Sequence, residues 1–355
     1  MTLFYVNLAA VYLSSFFARY FSKQNEGGSS VVSPNKLLAF LGLTSLVLLS
    51  GLRSDVGDTF FYKHSYKVTT FTWEKVMEGK DKGFAVLQLL LQKVSEDPQI
   101  LIFTTALITN VLFVLILYKY ARMFELGLYV YITGGLFLVS MNGIRQAFAS
   151  AVLFMATKFL IEGNWKSYML VVLLASTFHQ SALILIPIYF VVRVKAWSKA
   201  TAAVVLLAVF VVVGFDQFSS MLFSTIEDTQ YGHYSNFSEG GANFMRVAVE
   251  AVPLGIAFLG REKLRELFPK SDVIVNMTLL GFIFMLISTQ NWIFARFSIY
   301  FWPFQLILIS WIPKLFREKD EKLVYYGIVI CYFIYYYFEN VISLNMVYRS
   351  DYLIW

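Results

Sequence analysis

Five ionisable side chains stand where charge is costly. Arg53, Arg145, Arg246 and Arg296 each lie at the end of an apolar run, and His179 interrupts another, in Ala175-Ser-Thr-Phe-His-Gln-Ser-Ala182. Charged groups at membrane depth usually face a cavity or a partner. A guanidinium is planar and matches a phosphate with two parallel hydrogen bonds. An imidazole, with an ordinary pKa of about 6.5, can take or give a proton near neutrality.

Arg145, in Ser140-Met-Asn-Gly-Ile-Arg-Gln-Ala147, lies in the short turn between two apolar runs. It reads either as an interfacial anchor that snorkels or as a fork for a phosphate. Arg53 stands beside Asp55 and Asp58 in Gly51-Leu-Arg-Ser-Asp-Val-Gly-Asp-Thr59. Either it pairs with those acids and orders the loop, or it holds an anion while Asp58 orients it or binds a sugar hydroxyl. Arg246 and Glu250 are one helical turn apart, so an internal pair is expected, with substrate binding by Arg246 as the functional reading. Arg296 has no acid near it in Asn291-Trp-Ile-Phe-Ala-Arg-Phe-Ser298, which favours a functional partner. Tyr231 and His233, in Tyr231-Gly-His-Tyr-Ser-Asn-Phe237, add candidates for substrate contact.

The elements that must position these residues follow from composition. The chain has 355 residues, 58% hydrophobic and 15% charged, with 35 Phe, 22 Tyr and 7 Trp. A soluble domain carries about 25% charged residues and could not hide that much apolar surface. A cytosolic enzyme, a disordered chain and a disulfide scaffold are excluded, the last because Cys331 is the single cysteine. The expected fold is an all-α polytopic membrane protein, taken as one integral domain over 1–355 in a lipid bilayer.

Apolar runs suited to spanning or half-spanning helices cover 2–20, 37–52, 100–118, 124–141, 147–161, 167–177, 181–192, 201–215, 247–259, 273–288, 297–312 and 323–338. A break is placed near His179, because it gathers 18 of the 29 Lys and Arg on one side of the membrane, the cytoplasmic one. Both termini, the segment 53–97 and the loop 216–245 then lie outside, with the four arginines at the outer ends of their spans. Within 53–97, residues 83–94 predict a short re-entrant or interfacial helix, and Ser95-Glu-Asp-Pro98 predicts the first turn of the next. The basic clusters Arg261-Glu-Lys-Leu-Arg-Glu266 and Arg317-Glu-Lys-Asp-Glu-Lys322 read as solvated inner faces.

No Gly-rich loop ends in Lys-Ser or Lys-Thr, no metal-ligand spacing occurs, and no Gly-x-Ser-x-Gly elbow is present. Nucleotide hydrolysis is therefore not expected, and no cofactor or nucleic-acid partner is called for. The residues point to a phosphate-bearing ligand reached from outside, with aromatic faces for sugar rings. An enzyme fits that pattern, and so does a transporter or flippase, although unpaired charge gathered at one side favours the enzyme.

Several motifs, in order along nearly the whole chain, carry a resemblance. Gly51-Leu-Arg53 with Val56-Gly57-Asp58, Glu96-Asp-Pro-Gln-Ile100, Asn142-Gly-Ile-Arg-Gln146, Gly163-Asn-Trp-Lys166, Phe178-His-Gln-Ser-Ala-Leu-Ile184 with Pro187, and Phe294-Ala-Arg-Phe-Ser-Ile-Tyr-Phe301 resemble the EpsG family of exopolysaccharide polymerases. The resemblance implies Wzy-type chemistry of biofilm exopolysaccharide synthesis, akin to the O-antigen ligases: inverting, independent of metal and nucleotide sugar, at the outer face of the bacterial cell membrane. A growing glycan on undecaprenyl diphosphate would pass to the non-reducing end of an undecaprenyl-diphosphate-linked oligosaccharide. The main alternative is a transporter or flippase of that lipid-linked oligosaccharide, and a second, within the enzyme class, is a ligase delivering finished glycan. In that scheme Arg145 and Arg296 stabilise the leaving diphosphate, Arg53 holds the second diphosphate or the acceptor, and His179 is the general base or a hydrogen-bond donor in its place. A chain-length regulator and other exopolysaccharide assembly proteins would be the partners.

Overall fold

Asn35 begins the helix Lys36–Gly51 by accepting the N–H groups of Leu37 and Leu38 at 3.0 and 3.2 Å, the ordinary work of an Asn N-cap. In this computed structural model, which describes residues 1–22, 32–225 and 240–353, every regular element is a helix. In chain order these are α1 (Thr2–Tyr20), α2 (Lys36–Gly51), α3 (Thr59–Val68), α4 (Trp73–Glu78), α5 (Lys82–Gln92), α6 (Gln99–Tyr120), α7 (Phe124–Thr133), α8 (Leu136–Asn142), α9 (Ile144–Met155), α10 (Thr157–Glu162), α11 (Trp165–Phe178) and α12 (Leu185–Val191). There follow α13 (Lys199–Val213), α14 (Phe215–Thr225), α15 (Phe244–Leu259), α16 (Arg261–Leu267), α17 (Ser271–Ile287), α18 (Ala295–Ser298), α19 (Trp302–Trp311) and α20 (Glu318–Tyr337). The chain is an all-α polytopic membrane protein.

Among the described residues, α6 alone is long and apolar enough to cross a membrane by itself. Its 22 residues at about 1.5 Å each match a hydrocarbon core of roughly 30 Å. Three bent pairs qualify when each is taken as one span: α7 with α8 (51°), α13 with Phe215–Met221 (93°), and Trp292–Ser298 with Trp302–Leu315 (60°). Several runs expected to be continuous are thus broken. The run 124–141 turns at Gly134-Gly135, where Gly135 has φ +95°, a conformation glycine adopts without strain. The break expected near His179 is present: α11 stops at Phe178, His179 is extended at φ −156° and ψ 115°, and a 3₁₀ turn follows over Gln180–Ile184.

The described chain divides into two compact units, residues 1–189 with 306–355 and residues 190–305. In the first, Asn110 of α6 is fully buried and its amide is satisfied on three sides. It donates to Ser50 Oγ of α2 at 3.0 Å and to Ala106 O at 2.8 Å, and it accepts from the Tyr131 hydroxyl of α7 at 3.0 Å. Where apolar surface gains little from leaving lipid, such polar ties hold helices together. At the other end, Glu125 is fully buried and grips Arg19 Nε with both oxygens at 2.8 and 2.7 Å. The 3.6-residue amphipathic pattern of α3 and α5 seats Tyr66 and Phe84 on Leu101, Ile102 and Ile144, which fixes the 59–92 segment to the bundle. The expected helix at 83–94 is α5, while α3 and α4 are additions, both too short and too polar to stand out as apolar runs. Asp97 accepts the Gln99 N–H at 2.9 Å and starts α6 as expected. The tail 344–353 and the N-terminus meet at this same end, with Phe4 edge-on to Tyr348 at 5.5 Å.

In the second unit α17 is the buried axis. Gly281 lets Phe301 approach, and the Phe284 and Phe301 rings stack at 5.5 Å. Arg265 pairs with Glu262 and Asp272 at 3.0 and 3.1 Å and donates to Ala196 O at 3.0 Å, so this largely buried arginine ties α16 to its neighbours and does not stand on the solvated face expected for it.

Removing Arg19 would leave the Glu125 carboxylate buried and unpaired. Arg19→Ala is expected to cost about 3 kcal/mol, the lower end of the range for a broken buried pair because Arg19 is partly exposed. The double substitution Arg19→Met with Glu125→Met should recover most of that loss, both read as melting temperatures in detergent.

Candidate active site

Arg53 organises the region by capping two helix ends. Its Nη1 donates to Ser50 O in the last turn of α2, its Nη2 to Met141 O in the last turn of α8 at 3.0 Å, and its Nε to Thr59 Oγ1 at 2.9 Å. Terminal carbonyls lack intrahelical partners and sit at the negative end of the helix dipole, so a buried cation is well placed there. Burial pushes the guanidinium pKa down to about 9, while Tyr348 and Tyr62 act the other way, and it stays charged at neutral pH. This corrects both sequence-based expectations for Arg53. It pairs with neither Asp55 nor Asp58, and at 1% exposure it presents nothing to a ligand. Asp55 faces Arg349 of the tail instead, at 3.6 Å.

With Arg53 as strut, the motif Val56-Gly57-Asp58 packs on Asn142-Gly-Ile-Arg145. The Asp58 N–H donates to Asn142 Oδ1 at 2.9 Å. Gly57 has φ +55°, and a side chain there would collide with Asn142, so two separate requirements select glycine. Asp58 and Arg145 consequently line one open cavity of about 360 Å³ with Phe61, Tyr62, Phe84 and Gln88.

The decisive contact is made by a residue that the sequence motifs do not contain. Asp81 precedes α5 at the N-cap position, yet its side chain accepts no N–H of its own helix. It turns to α9 and α11. Oδ2 accepts from Arg145 Nη1 at 2.8 Å and lies 3.4 Å from His179 Nδ1, while Oδ1 accepts the Gln180 N–H at 3.1 Å. Gly83 makes this reach possible, because any side chain there would strike Thr177 near the end of α11. A carboxylate on Nδ1 favours the tautomer whose Nε2 carries the free lone pair, the state a general base needs. Burial alone would raise the Asp81 pKa, but the hydrogen bond and charge of His179, the charge of Arg145 and the Gln180 N–H hold it below its ordinary value.

In the second unit Glu250 is buried and accepts Trp302 Nε1 at 2.6 Å, and Arg246 lies near enough to act on it electrostatically. Arg296 is exposed and stacks on the Trp292 ring at 4.9 Å. Tyr231 and His233 lie outside the described residues.

A family model described as the EpsG family matches residues 36–350, and that span takes in both motif segments, Asp81 and His179. The chain belongs to the EpsG family. No curated protein and no solved structure matches it. EpsG proteins form a Wzy-like polymerase family, which gives this chain a glycosyltransferase-like, polysaccharide-polymerising role in a membrane. Within this EpsG chain, the structure links Arg145 to His179 through Asp81 and sets Arg145 in one cavity with Asp58 and Tyr62. Asp81 gives little signal in Gly79-Lys-Asp-Lys-Gly83, where alternating charges read as a solvated turn and an Asp before a helix reads as a cap.

Because the Asp81 pKa is lowered on folding, its stabilising contribution is complete above its ordinary value of 3.8 and is lost as pH falls through the folded value. Asp81→Asn should therefore melt below the parent protein at pH 7, and the two melting temperatures should converge as the pH is taken below about 4.

Proposed function

We propose that this EpsG protein extends exopolysaccharide by transferring a growing glycan from undecaprenyl diphosphate to a lipid-linked repeat unit at the outer face of the cell membrane. The reading rests on one observation: a single carboxylate, Asp81, bridges Arg145 and His179, and Arg145 lines a cavity with Asp58. An acceptor hydroxyl oxygen attacks the anomeric carbon, the bond from that carbon to the diphosphate oxygen breaks, and undecaprenyl diphosphate leaves. The acceptor proton passes to His179 Nε2, for which Asp81 sets the ring orientation. Arg145 meets the negative charge that grows on the leaving diphosphate, an interaction stronger in the transition state than in the ground state. Asp58 accepts a sugar hydroxyl across the cavity. Attack from the face opposite the leaving group inverts the anomeric centre, and no step calls for a metal. Arg296, exposed and stacked on Trp292, is proposed as a further phosphate contact within its own unit, and Arg246 supports Glu250.

The test is a glycan ladder made by purified protein and lipid-linked repeat units in detergent, where no sides exist to transport between. Longer chains on undecaprenyl diphosphate support a polymerase, and unchanged lengths with folded protein refute it. A single transfer to a different acceptor would identify a ligase. His179→Ala should lower the rate about 10²–10⁴-fold and Arg145→Lys about 10²–10³-fold, with normal membrane insertion in both. Full activity in either variant would remove that residue from the mechanism.

A further inference from the structure

A second, larger cavity lies on the same two helices. It measures about 690 Å³ and opens where α3 passes into α4 above the C-terminal half of α5. Tyr62, Phe84 and Gln88 face the Arg145 cavity, whereas Tyr66, Leu89 and Gln92, about one helical turn further along, face the larger one. The two spaces therefore follow one another along α3 and α5, and both lie in the first unit.

The walls of the larger cavity are unusual for a short connection. Residues 69–72 have no regular structure, yet Gln92 of α5 braces them. Its Nε2 donates to Tyr66 O at 2.8 Å and Thr69 O at 2.7 Å, and its Oε1 accepts the Phe71 N–H at 3.0 Å. Thr72 caps α4 through the Lys75 N–H at 3.4 Å and so sets Trp73 as the first residue of that helix. Trp73 lines the cavity and is 60% exposed. Thr69, Thr70, Lys67, Lys93 and Glu96 line the same cavity. An exposed tryptophan that follows a braced segment, in a cavity whose other lining residues carry hydroxyl, amine and carboxylate groups, suits a pyranose ring, whose C–H faces stack on aromatic rings and whose hydroxyls both donate and accept. The volume falls within the range of about 300–1,000 Å³ typical of ligand sites.

We propose that this cavity is a carbohydrate-binding subsite that holds the glycan beyond the sugar being joined, with Trp73 as its stacking platform. The proposal rests on the polymerase reading for its place in the reaction, but not for the binding itself. Extension would proceed with the reacting sugar beside Arg145 and the neighbouring sugars laid along α3 and α5 to Trp73. Product length then depends on a surface remote from the reacting atoms.

The test uses the full-length protein in detergent. The soluble probe is exopolysaccharide from its own host, cut to fragments of a few repeat units and carrying no lipid or phosphate. Calorimetry should detect binding by the parent protein, and Trp73→Ala should weaken it about tenfold, the loss expected for one stacking partner. Trp73→Phe should restore most of the affinity, which a merely structural defect would not allow. In the ladder assay Trp73→Ala should shift products toward shorter chains. Failure of the parent protein to bind the fragments overturns the proposal. So does undiminished binding, or an unshortened ladder, in Trp73→Ala. If the fragments bind through Trp73 but no chain lengthens, the subsite stands and the polymerase reading fails. If chains lengthen equally with and without Trp73, the reverse holds.

Discussion

The carboxylate of Asp81 is shared by a guanidinium, an imidazole and a backbone N–H from two other helices. With its side chain only 8% exposed, it would be costly to bury without partners. That cost ties the position of α5 to α9 and α11: the three elements must dock together for the carboxylate to be satisfied. The same contact gives His179 a fixed orientation and keeps Arg145 at the rim of its cavity. Local packing is subordinate to it. Gly83 exists to let α5 approach Thr177, and Tyr66 and Phe84 anchor the segment on Leu101, Ile102 and Ile144.

A second layer of order comes from orphan carbonyls. The last turns of α2 and α8 converge on one buried arginine, and the loop between α2 and α3 closes over it. The family motifs around residues 51–58 and 142–146 are thus two halves of one structural joint. The joint is not itself the reacting group, but without it Asp58 and Arg145 would not share a cavity. The tail reinforces the joint, since Arg349 O accepts the Ser54 N–H at 2.8 Å and the Tyr348 hydroxyl donates to Leu49 O at 2.8 Å.

Much of this was legible in the residues. The apolar runs gave the helices to within a few positions, because hydropathy depends on composition alone. The break at His179 followed from charge placement, and the short helix after residue 82 from its apolar stretch. The bend at Gly134-Gly135 was less visible, since two glycines inside an apolar run are common in membrane helices. Arg53 misled because its acidic neighbours in sequence concealed the carbonyls that satisfy it, one of them on Met141. Asp81 escaped for a related reason. Its partners lie 64 and 98 positions away, and nothing local distinguishes it from a surface cap. Periodicity locates helices, whereas long-range pairing depends on how they dock.

The close fit of Gly83 against Thr177 couples two distances at the Asp81 carboxylate. Any swing of α5 away from α11 withdraws the carboxylate from the imidazole and the guanidinium together. Ring orientation and guanidinium placement are therefore one property of how α5 seats, and a substitution at Gly83 or Thr177 disturbs both at once.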